Sequence, residues 1–261
     1  MREWRQDSLR VVAAPDRQAM GRAAARDICA AMRALLAEKD EISMIFAAAP
    51  SQNEVLAELA ASDVPWERVH AYHMDEYIGL PAGAPQSFGR FLTEHLFGKV
   101  KLASVNLIDA QATDAQAECA RYAALLAARP ADIIVMGIGE NGHIAFNDPG
   151  EADFHDEKLV KVVNLDEVCR MQQVHDGCFG SLAQVPKQAL TLTCPVFIHA
   201  PRLYCIVPAA SKARAVERTL HGPVSEDCPA TILRQHPAAA LYLDAESAGL
   251  LSWSGYAATG S

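Results

Sequence analysis

The sequence lacks long hydrophobic runs and an apolar leader, and these two absences exclude two classes of protein. No apolar stretch in the 261 residues approaches the about 18 residues that a membrane-spanning helix requires. Residues 1–7 are mostly polar and do not contain the apolar core of a signal peptide. We therefore expect a soluble, cytoplasmic protein with no membrane partner.

Basic charge is also scarce, and this bears on binding partners. Lys and Arg number 23 against 32 Asp and Glu, which gives a formal net charge of -9 at pH 7. Binding to nucleic acid depends on a basic patch that meets the phosphate backbone, so we expect no nucleic-acid partner. The acidic balance still allows a small anionic substrate that is held by a few local donors.

The cysteines form no ordered pattern. They are odd in number and scattered, with no C-x-x-C pair and no His/Cys group at metal-ligand spacing. We expect reduced, buried thiols and no bound metal. A zinc-dependent deaminase is disfavoured, because its H-x-E and P-C-x-x-C motifs are missing. The seven positions are Cys29, Cys119, Cys169, Cys178, Cys194, Cys205 and Cys228.

The sequence is rich in apolar residues, which make up 51% of it and form short β-branched runs between helical patterns. This alternation predicts an α/β fold, with one domain over residues 1–261 and a mostly parallel, Rossmann-like sheet flanked by helices on both faces. The predicted strands are 9–14, 41–49, 66–74, 132–136, 159–163, 203–207 and 239–244. The predicted helices include 15–36, 88–97, 112–128 and 166–175, with Glu118, Arg121 and Tyr122 on partly exposed faces of the third.

The strand at 132–136 runs into the loop that carries the strongest indication of a site. Its glycines Gly137, Gly139 and Gly142 let backbone approach a ligand closely, and His143 and Asp148 follow them. Open α/β sheets bind ligands at the carboxyl ends of their strands. We therefore predict that this loop belongs to an active site.

Two other interpretations of this loop remain open on the loop alone. The glycine spacing formally matches a dinucleotide-binding motif, but residues 147–150 break the chain where that motif needs a long helix, so we expect no nucleotide cofactor. The loop could also be a tight turn around a structural histidine, which is the usual role of a single His.

Polar residues follow other predicted strands as well. Ser51 or Asn53 could cap a helix whose free N–H groups favour an anion, although an ordinary cap explains the same residues. Asp75 and Glu76 could provide a carboxylate base, or they could simply start a helix. Lys212 could hold a phosphate at a helix start, or it could be an exposed first-turn lysine.

His73 is expected to pack or to form hydrogen bonds within its strand rather than to act in catalysis. In a parallel sheet, the four polar strand ends would open on the same edge. One pocket with an anion-binding end, a carboxylate base and a His–carboxylate pair would follow.

Three separate stretches resemble one known family. Residues 74–81, 139–149 and 185–191 are similar, in order, to motifs of the glucosamine-6-phosphate deaminase/isomerase family, which is related to 6-phosphogluconolactonases. The likeness runs from about residue 40 to residue 245. Several motifs in the same order are specific evidence for a family, whereas any one of them alone would be weak evidence.

The resemblance implies a modified Rossmann-like fold without a nucleotide cofactor, and conversion of glucosamine 6-phosphate and water to fructose 6-phosphate and ammonia. By matching position, Asp75 is the base that moves a proton from C2 to C1, His143 assists opening of the sugar ring and Lys212 binds phosphate. Asp148 is expected to orient His143. It stands where the family usually has Glu, and Asn141 stands where many members have Asp.

The predicted site falls into two groups, with no metal ligand in either. The catalytic group is Asp75, His143, Asp148 and Asn141. The substrate- and phosphate-binding group is Ser51, Gln52, Asn53, Gly137, Gly139 and Lys212.

The predicted partner is a small phosphorylated sugar, and a homo-oligomer is compatible with the sequence. Three alternatives stay open: a galactosamine-6-phosphate deaminase/isomerase, a 6-phosphogluconolactonase-like hydrolase, and a sugar-phosphate-binding protein without turnover. A regulator of the last kind often carries a DNA-binding module, and no basic segment for one is visible.

Overall fold

The larger of two sheets carries most of the fold. The structure is a computed structural model that describes residues 1–252, so residues 253–261 of the predicted domain lie outside the described residues. Within the described part this sheet has eight strands. In spatial order they are β1 (Arg2–Gln6), β2 (Leu9–Ala13), β11 (Ala239–Leu243), β10 (Leu203–Val207), β7 (Ile133–Met136), β3 (Ile42–Phe46), β4 (Val69–His73) and β6 (Ser104–Asn106).

The sheet is mostly parallel, as predicted. Only β1 runs antiparallel to its neighbour, and the pairs from β2 to β6 are all parallel. The polar sequence of β1 gave no strand signal. β1 joins the edge of the sheet through a tight reversal at residues 7–8, where Asp7 has a positive φ of 53°.

Helices cover both faces of this sheet. They are α1 (Arg17–Glu38), α2 (Asn53–Ala60), α3 (Phe88–Leu92), α4 (Ala115–Ala128), α5 (Glu167–His175), α6 (Cys194–Ile198) and α7 (Ala213–His221). No helix among residues 1–252 has both the length and the apolar character needed to cross a membrane.

The central strands are buried on both sides, which explains their continuous apolar runs. In β7, Ile133 and Val135 join the core beneath α1 and α2, whereas Ile134 and Met136 join the core beneath α4, α6 and α7. The period-two alternation of a strand thus divides one apolar run between two cores.

The smaller sheet was not predicted as a separate unit. It has the order β5 (Asp75–Tyr77), β9 (Gln188–Leu192) and β8 (Val160–Asn164), and both of its pairs are antiparallel. The stretch at 159–163 was correctly predicted as a strand. Asp75 and Glu76, however, lie in a short strand and do not start a helix.

Two local expectations were wrong, and the helix predicted at 88–97 is present with an altered second half. Glu118 and Tyr122 are buried rather than partly exposed, because Glu118 receives the N–H of Asp109 and Tyr122 donates to the backbone of β4. The predicted helix at 88–97 is α3 followed by a π-helical turn, Thr93–Phe97. Neither Ser51 nor Asn53 caps α2 through its side chain, because a 3-10 turn, Pro50–Gln52, leads directly into that helix.

Candidate active site

A pocket opens at the carboxyl ends of β3, β4 and β7. Its walls come from the segments after β3 and β7, from β5 and from α5. It is lined by Ala47, Ala48, Ala49, Ser51, Gln52, Met74, Asp75, Phe88, Gly137, Ile138, Gly139, His143, Ala145, Phe146, Gln172 and Gln173. Six of the ten predicted site residues therefore line one pocket, and the other four do not line it: Asn53, Asn141, Asp148 and Lys212.

The loop after β7 is shaped by its glycines. A Cβ at Gly139 would lie 2.0 Å from Cε1 of His143, so only glycine leaves room for the imidazole ring. Gly142 has a φ of 91°, and a Cβ there would meet the Sγ of Cys228. The Gly139 N–H donates to the carbonyl of His143 at 2.9 Å, which closes the loop on itself.

His143 is held by two oxygen acceptors. Its Nδ1 lies 2.7 Å from Oδ1 of Asn141 and 3.0 Å from Oδ1 of Asp148. Two acceptors at Nδ1 favour the tautomer that carries the proton there, which leaves Nε2 free to accept a proton. The shorter Asp148 thus still reaches the histidine.

Asn141 connects this histidine to two carboxylates. Its Nδ2 donates to Asp148 at 3.0 Å and to Asp166 at 3.2 Å. Burial opposes the charge of Asp148, but the adjacent His143 and the Asn141 amide hold the pKa of this carboxyl below its usual value. Asp148 is therefore a buried carboxylate that stabilises positive charge on His143.

Asp75 and Glu76 have opposite environments, because successive side chains of a strand point to opposite faces. Glu76 accepts the N–H groups of Tyr77, Phe88 and Gly89 and the hydroxyl of Ser87. Asp75 lines the pocket, and its carboxylate accepts no hydrogen bond from any residue in the range 1–252.

Burial raises the pKa of Asp75 well above its usual value, and the charge of Glu76 raises it further. A carboxylate without hydrogen bonds in an enclosed pocket is a stronger base than an exposed one. Of the two adjacent carboxylates, Asp75 has the environment of a base and Glu76 has that of a structural anchor.

Strand β9 holds both halves of the site. Asp75 pairs with Thr191 in the antiparallel register, and the Thr191 Oγ1 accepts the N–H of Phe146 at 3.0 Å. Asn147 of the same loop donates through Nδ2 to the carbonyl of Leu192 at 2.8 Å. The relative placement of Asp75 and the His143 loop is thus set by two residues of one strand.

Some of the predicted anion-binding residues are neighbours in the structure, and one of them lies apart from the pocket. Gln52 is buried and donates to Ser51 Oγ at 3.1 Å and to the carbonyl of Ile206 at 3.2 Å. A Cβ at Gly137 would lie 3.1 Å from Nε2 of Gln52, so the two are neighbours. Asn53 is exposed and does not line the pocket.

Lys212 is buried at the end of a 3-10 turn, Ala210–Lys212, which leads into α7. Its Nζ has no hydrogen-bond partner among the described residues. Burial lowers the pKa of Lys212, while the charges of Asp176 and Glu140 oppose that shift. A buried ammonium without a bound partner is suited to an anionic ligand.

Gln172, Gln173 and Phe88 line the pocket but were not predicted from the sequence. Gln172 accepts the N–H of Glu140 at 2.9 Å and so ties α5 to the loop after β7. Gln173 is buried at the pocket wall. A polar pair in the middle of a predicted helix carried no signal of its own. Arg170 is held by the carbonyls of Leu182 and Val185.

A larger cavity of about 700 Å³ lies elsewhere, lined in part by His155, Pro195, His199 and Glu226. It contains none of the predicted site residues. The chemistry indicated by the buried His–carboxylate pair and by Asp75 belongs to the smaller pocket.

The fold and the sequence correspond to those of a known protein family. Residues 15–242 match the family model described as glucosamine-6-phosphate isomerases/6-phosphogluconolactonase, and the chain belongs to this family. A 6-phosphogluconolactonase from Trypanosoma brucei shares the fold, with a TM-score of 0.77 over 93% of this chain and 98% of that chain, at 19% identity.

Relatives of higher identity than this structure include deaminases. A glucosamine-6-phosphate deaminase of Listeria monocytogenes serotype 4a is 38% identical over 81% of this chain and 88% of its own length. One of Lactobacillus delbrueckii subsp. bulgaricus is 35% identical over 76% and 82%. The solved structure of a monomeric glucosamine-6-phosphate deaminase aligns with a TM-score of 0.84 and 28% identity, over 92% of this chain and 99% of that chain.

Proposed function

We propose that this protein converts glucosamine 6-phosphate and water to fructose 6-phosphate and ammonia. The observation that carries the proposal is Asp75, a buried carboxylate without a hydrogen bond in the described chain, in the same pocket as a His143 oriented by Asp148. A sugar with an amine at C2 needs a base at that carbon. The deaminase relatives support this substrate over a lactone.

Asp75 is assigned the proton transfer. In the open-chain aldehyde the C2 proton is acidified by the adjacent carbonyl, and a carboxylate held within about 3 Å can remove it. Return of that proton to C1, together with passage of one proton from the amine to O1, gives an imine at C2. Water then adds to C2, ammonia leaves, and the ketone remains. The raised pKa of Asp75 strengthens it as a base for this step.

His143 is assigned the opening of the sugar ring. Opening requires a proton to leave the O1 hydroxyl and another to reach the ring oxygen O5. With Nδ1 held by Asn141 and Asp148, Nε2 can accept a proton and then return it, and buried Asp148 stabilises the intermediate imidazolium. Lys212 is assigned the phosphate group, since its ammonium has no other partner among residues 1–252.

The proposal is tested by supplying three substrates to the purified protein: glucosamine 6-phosphate, galactosamine 6-phosphate and 6-phosphogluconolactone. Ammonia release and ketose formation are measured for the first two, and acid release for the third. We expect ammonia and fructose 6-phosphate from glucosamine 6-phosphate in equal amounts. Faster turnover of the lactone than of both amino sugars would overturn the proposal.

A second experiment separates the two assigned roles. Asp75→Asn should reduce exchange of the C2 hydrogen with solvent by about a hundredfold or more, on cyclic and open-chain substrates alike. His143→Gln should slow the cyclic substrate and largely spare C2 exchange in an open-chain analogue. Equal loss on both substrates in His143→Gln would remove the ring-opening role.

A further inference from the structure

Three buried side chains with different donor atoms converge behind the pocket. They are His143, Asp148 and Cys169, and one nitrogen, one oxygen and one sulfur atom of the three all lie within 4.8 Å of one another. Asp148 is 0% exposed, Cys169 is 1% exposed and His143 is 7% exposed. Nothing in the proposed reaction uses Cys169.

The carboxylate of this cluster is incompletely paired. Oδ1 of Asp148 contacts His143 and Asn141, and the Cys169 thiol donates a hydrogen bond to this carboxylate. No N–H or O–H group among residues 1–252 donates to Oδ2. A buried carboxylate oxygen without a partner is costly, so the position favours a positively charged ligand.

We propose that His143, Asp148 and Cys169 form a binding site for a borderline-soft divalent cation, with Zn²⁺ as the best fit, and that its occupation inhibits the enzyme. Imidazole, carboxylate and thiolate are the ligand types that zinc takes in proteins, and three protein ligands are typical of open zinc sites. Magnesium and calcium prefer oxygen ligands alone and do not fit this donor set.

Zinc binding releases one proton to solvent and moves another within His143. Burial and the nearby carboxylates keep Cys169 a neutral thiol in the free protein, since both raise its pKa. As the zinc–sulfur bond forms, the thiol proton leaves to solvent. The His143 proton moves from Nδ1 to Nε2, so that Nδ1 can offer its lone pair, and Asp148 binds as the carboxylate it already is.

Inhibition follows from the ligands that are shared with the site. His143 lines the pocket, and Asp148 orients it. A cation that takes both would leave no free imidazole to move a proton. The spacing of residues 143, 148 and 169 did not indicate a metal site because the third ligand comes from α5, which the fold brings to the loop after β7.

The test measures metal binding directly, and its result is independent of which sugar is the substrate. The metal-free protein is titrated with Co²⁺, whose charge-transfer absorption reports a thiolate ligand, and then with Zn²⁺ in competition. We expect one site that shows thiolate absorption and is displaced by Zn²⁺. Absence of thiolate absorption in the wild-type protein would overturn the proposal whatever the variants do.

Two variants locate the site. Cys169→Ser should remove the thiolate absorption and weaken zinc binding by at least about tenfold. Cys178→Ser is the matched control, because Cys178 is the partly exposed cysteine three residues beyond the end of α5, in a cavity next to the pocket. It should leave binding unchanged. Loss of the absorption in Cys178→Ser with retention in Cys169→Ser would show surface thiol binding and overturn the proposal.

His143→Gln provides a second variant for the case in which Cys169→Ser does not fold. It removes the nitrogen ligand and should also weaken zinc binding by at least about tenfold. Unchanged zinc affinity in this variant would contradict the assigned site. In the wild-type protein, turnover should fall as zinc fills the site and should return fully on addition of a chelator.

Discussion

Asp75 and Glu76 are adjacent carboxylates whose environments differ because they lie on opposite faces of β5. Glu76 receives four hydrogen bonds, and Asp75 receives none from the described chain. The pKa of Asp75 is raised, so the folded protein binds its proton more tightly than the unfolded chain does. Asp75 therefore favours the fold only at low pH, and this contribution disappears as pH rises through the raised pKa.

Asp75→Asn should stabilise the protein while it removes turnover. At pH 8, where the assigned base role requires Asp75 to be charged, the variant replaces a buried charge with a neutral amide of the same shape, and we expect the free energy of unfolding to rise by about 1 to 3 kcal/mol. At pH 4 the gain should be smaller, because Asp75 is then protonated. Urea unfolding at both pH values measures this, and a less stable variant at pH 8 would show that the Asp75 charge is compensated.

Lys212→Ala should weaken substrate binding without changing the chemistry. A lysine that grips phosphate equally in the ground and transition states affects KM, and loss of one charged contact corresponds to roughly a 10- to 100-fold rise. Arg214→Ala is the control, because Arg214 is an exposed cation two positions along the chain. A normal KM with a collapsed kcat would place Lys212 in the reaction itself.

At the scale of single residues, the sequence predicted site positions best where the residue type is uncommon in its local pattern. Glycines before a histidine, and a lysine at a strand end, predicted positions that the fold brings to one edge. It was uninformative about Gln172 and Gln173, since glutamine is common on helix surfaces and only tertiary packing turns these two inward. The prediction of Asn53 as a pocket residue was wrong, because Asn53 faces solvent from the first turn of α2.

At the scale of elements, Glu76 links β5 to the start of α3. Its carboxylate accepts the N–H groups of Phe88 and Gly89, which are among the unpaired donors of that helix, and the hydroxyl of the N-cap residue Ser87. A helix of five residues has little stability of its own. Its position at the pocket wall therefore depends on this carboxylate.

Glu76→Gln should destabilise the protein by about 2 to 5 kcal/mol. The amide has one acceptor oxygen, so its NH₂ group would face N–H donors that now point at a carboxylate oxygen. Asp75→Asn is the matched control, since it makes the same chemical change one residue away and should shift stability in the other direction. If both variants change the free energy of unfolding in the same direction at pH 8, the assignment of Asp75 as a base and Glu76 as a structural anchor is refuted.

Elements with continuous apolar runs could be predicted, and short polar ones could not. The interior strands of the larger sheet each carry such a run, whereas β5 is the tripeptide Asp75–Tyr77 and owes its conformation to pairing with β9. That partner lies more than a hundred residues away in sequence. No local pattern reports such a pairing.

At the scale of the whole molecule, the pocket and the edge of the sheet are far apart in strand order. The pocket lies at the ends of β3, β4 and β7, whereas β1 is the outermost strand on the side of β2. Trp4 of β1 packs into the core that contains α4 and α7. Stability at this edge and activity in the pocket should be separable.

Trp4→Ala should lower the free energy of unfolding by about 3 to 5 kcal/mol through loss of buried aromatic area. KM should not change, because strands β2, β11 and β10 separate β1 from the strands whose ends form the pocket. Arg5→Ala, whose side chain points to the exposed face of the same strand, should change stability by less than about 0.5 kcal/mol. A raised KM in Trp4→Ala under conditions where it is folded would contradict this independence.

Strand β9 has a consequence for how proteins of this architecture diversify. Thr191 and Leu192 fix the spacing between Asp75 and the His143 loop, whereas another part of the pocket wall is made by Gln172 and Gln173 of α5 and by Phe88 of α3. Changes of sequence in those outer segments can alter which molecule is admitted and leave the reacting groups in place. Evolutionary change of the substrate is therefore expected in the helices of the pocket wall, whereas the sequence of β9 should change little.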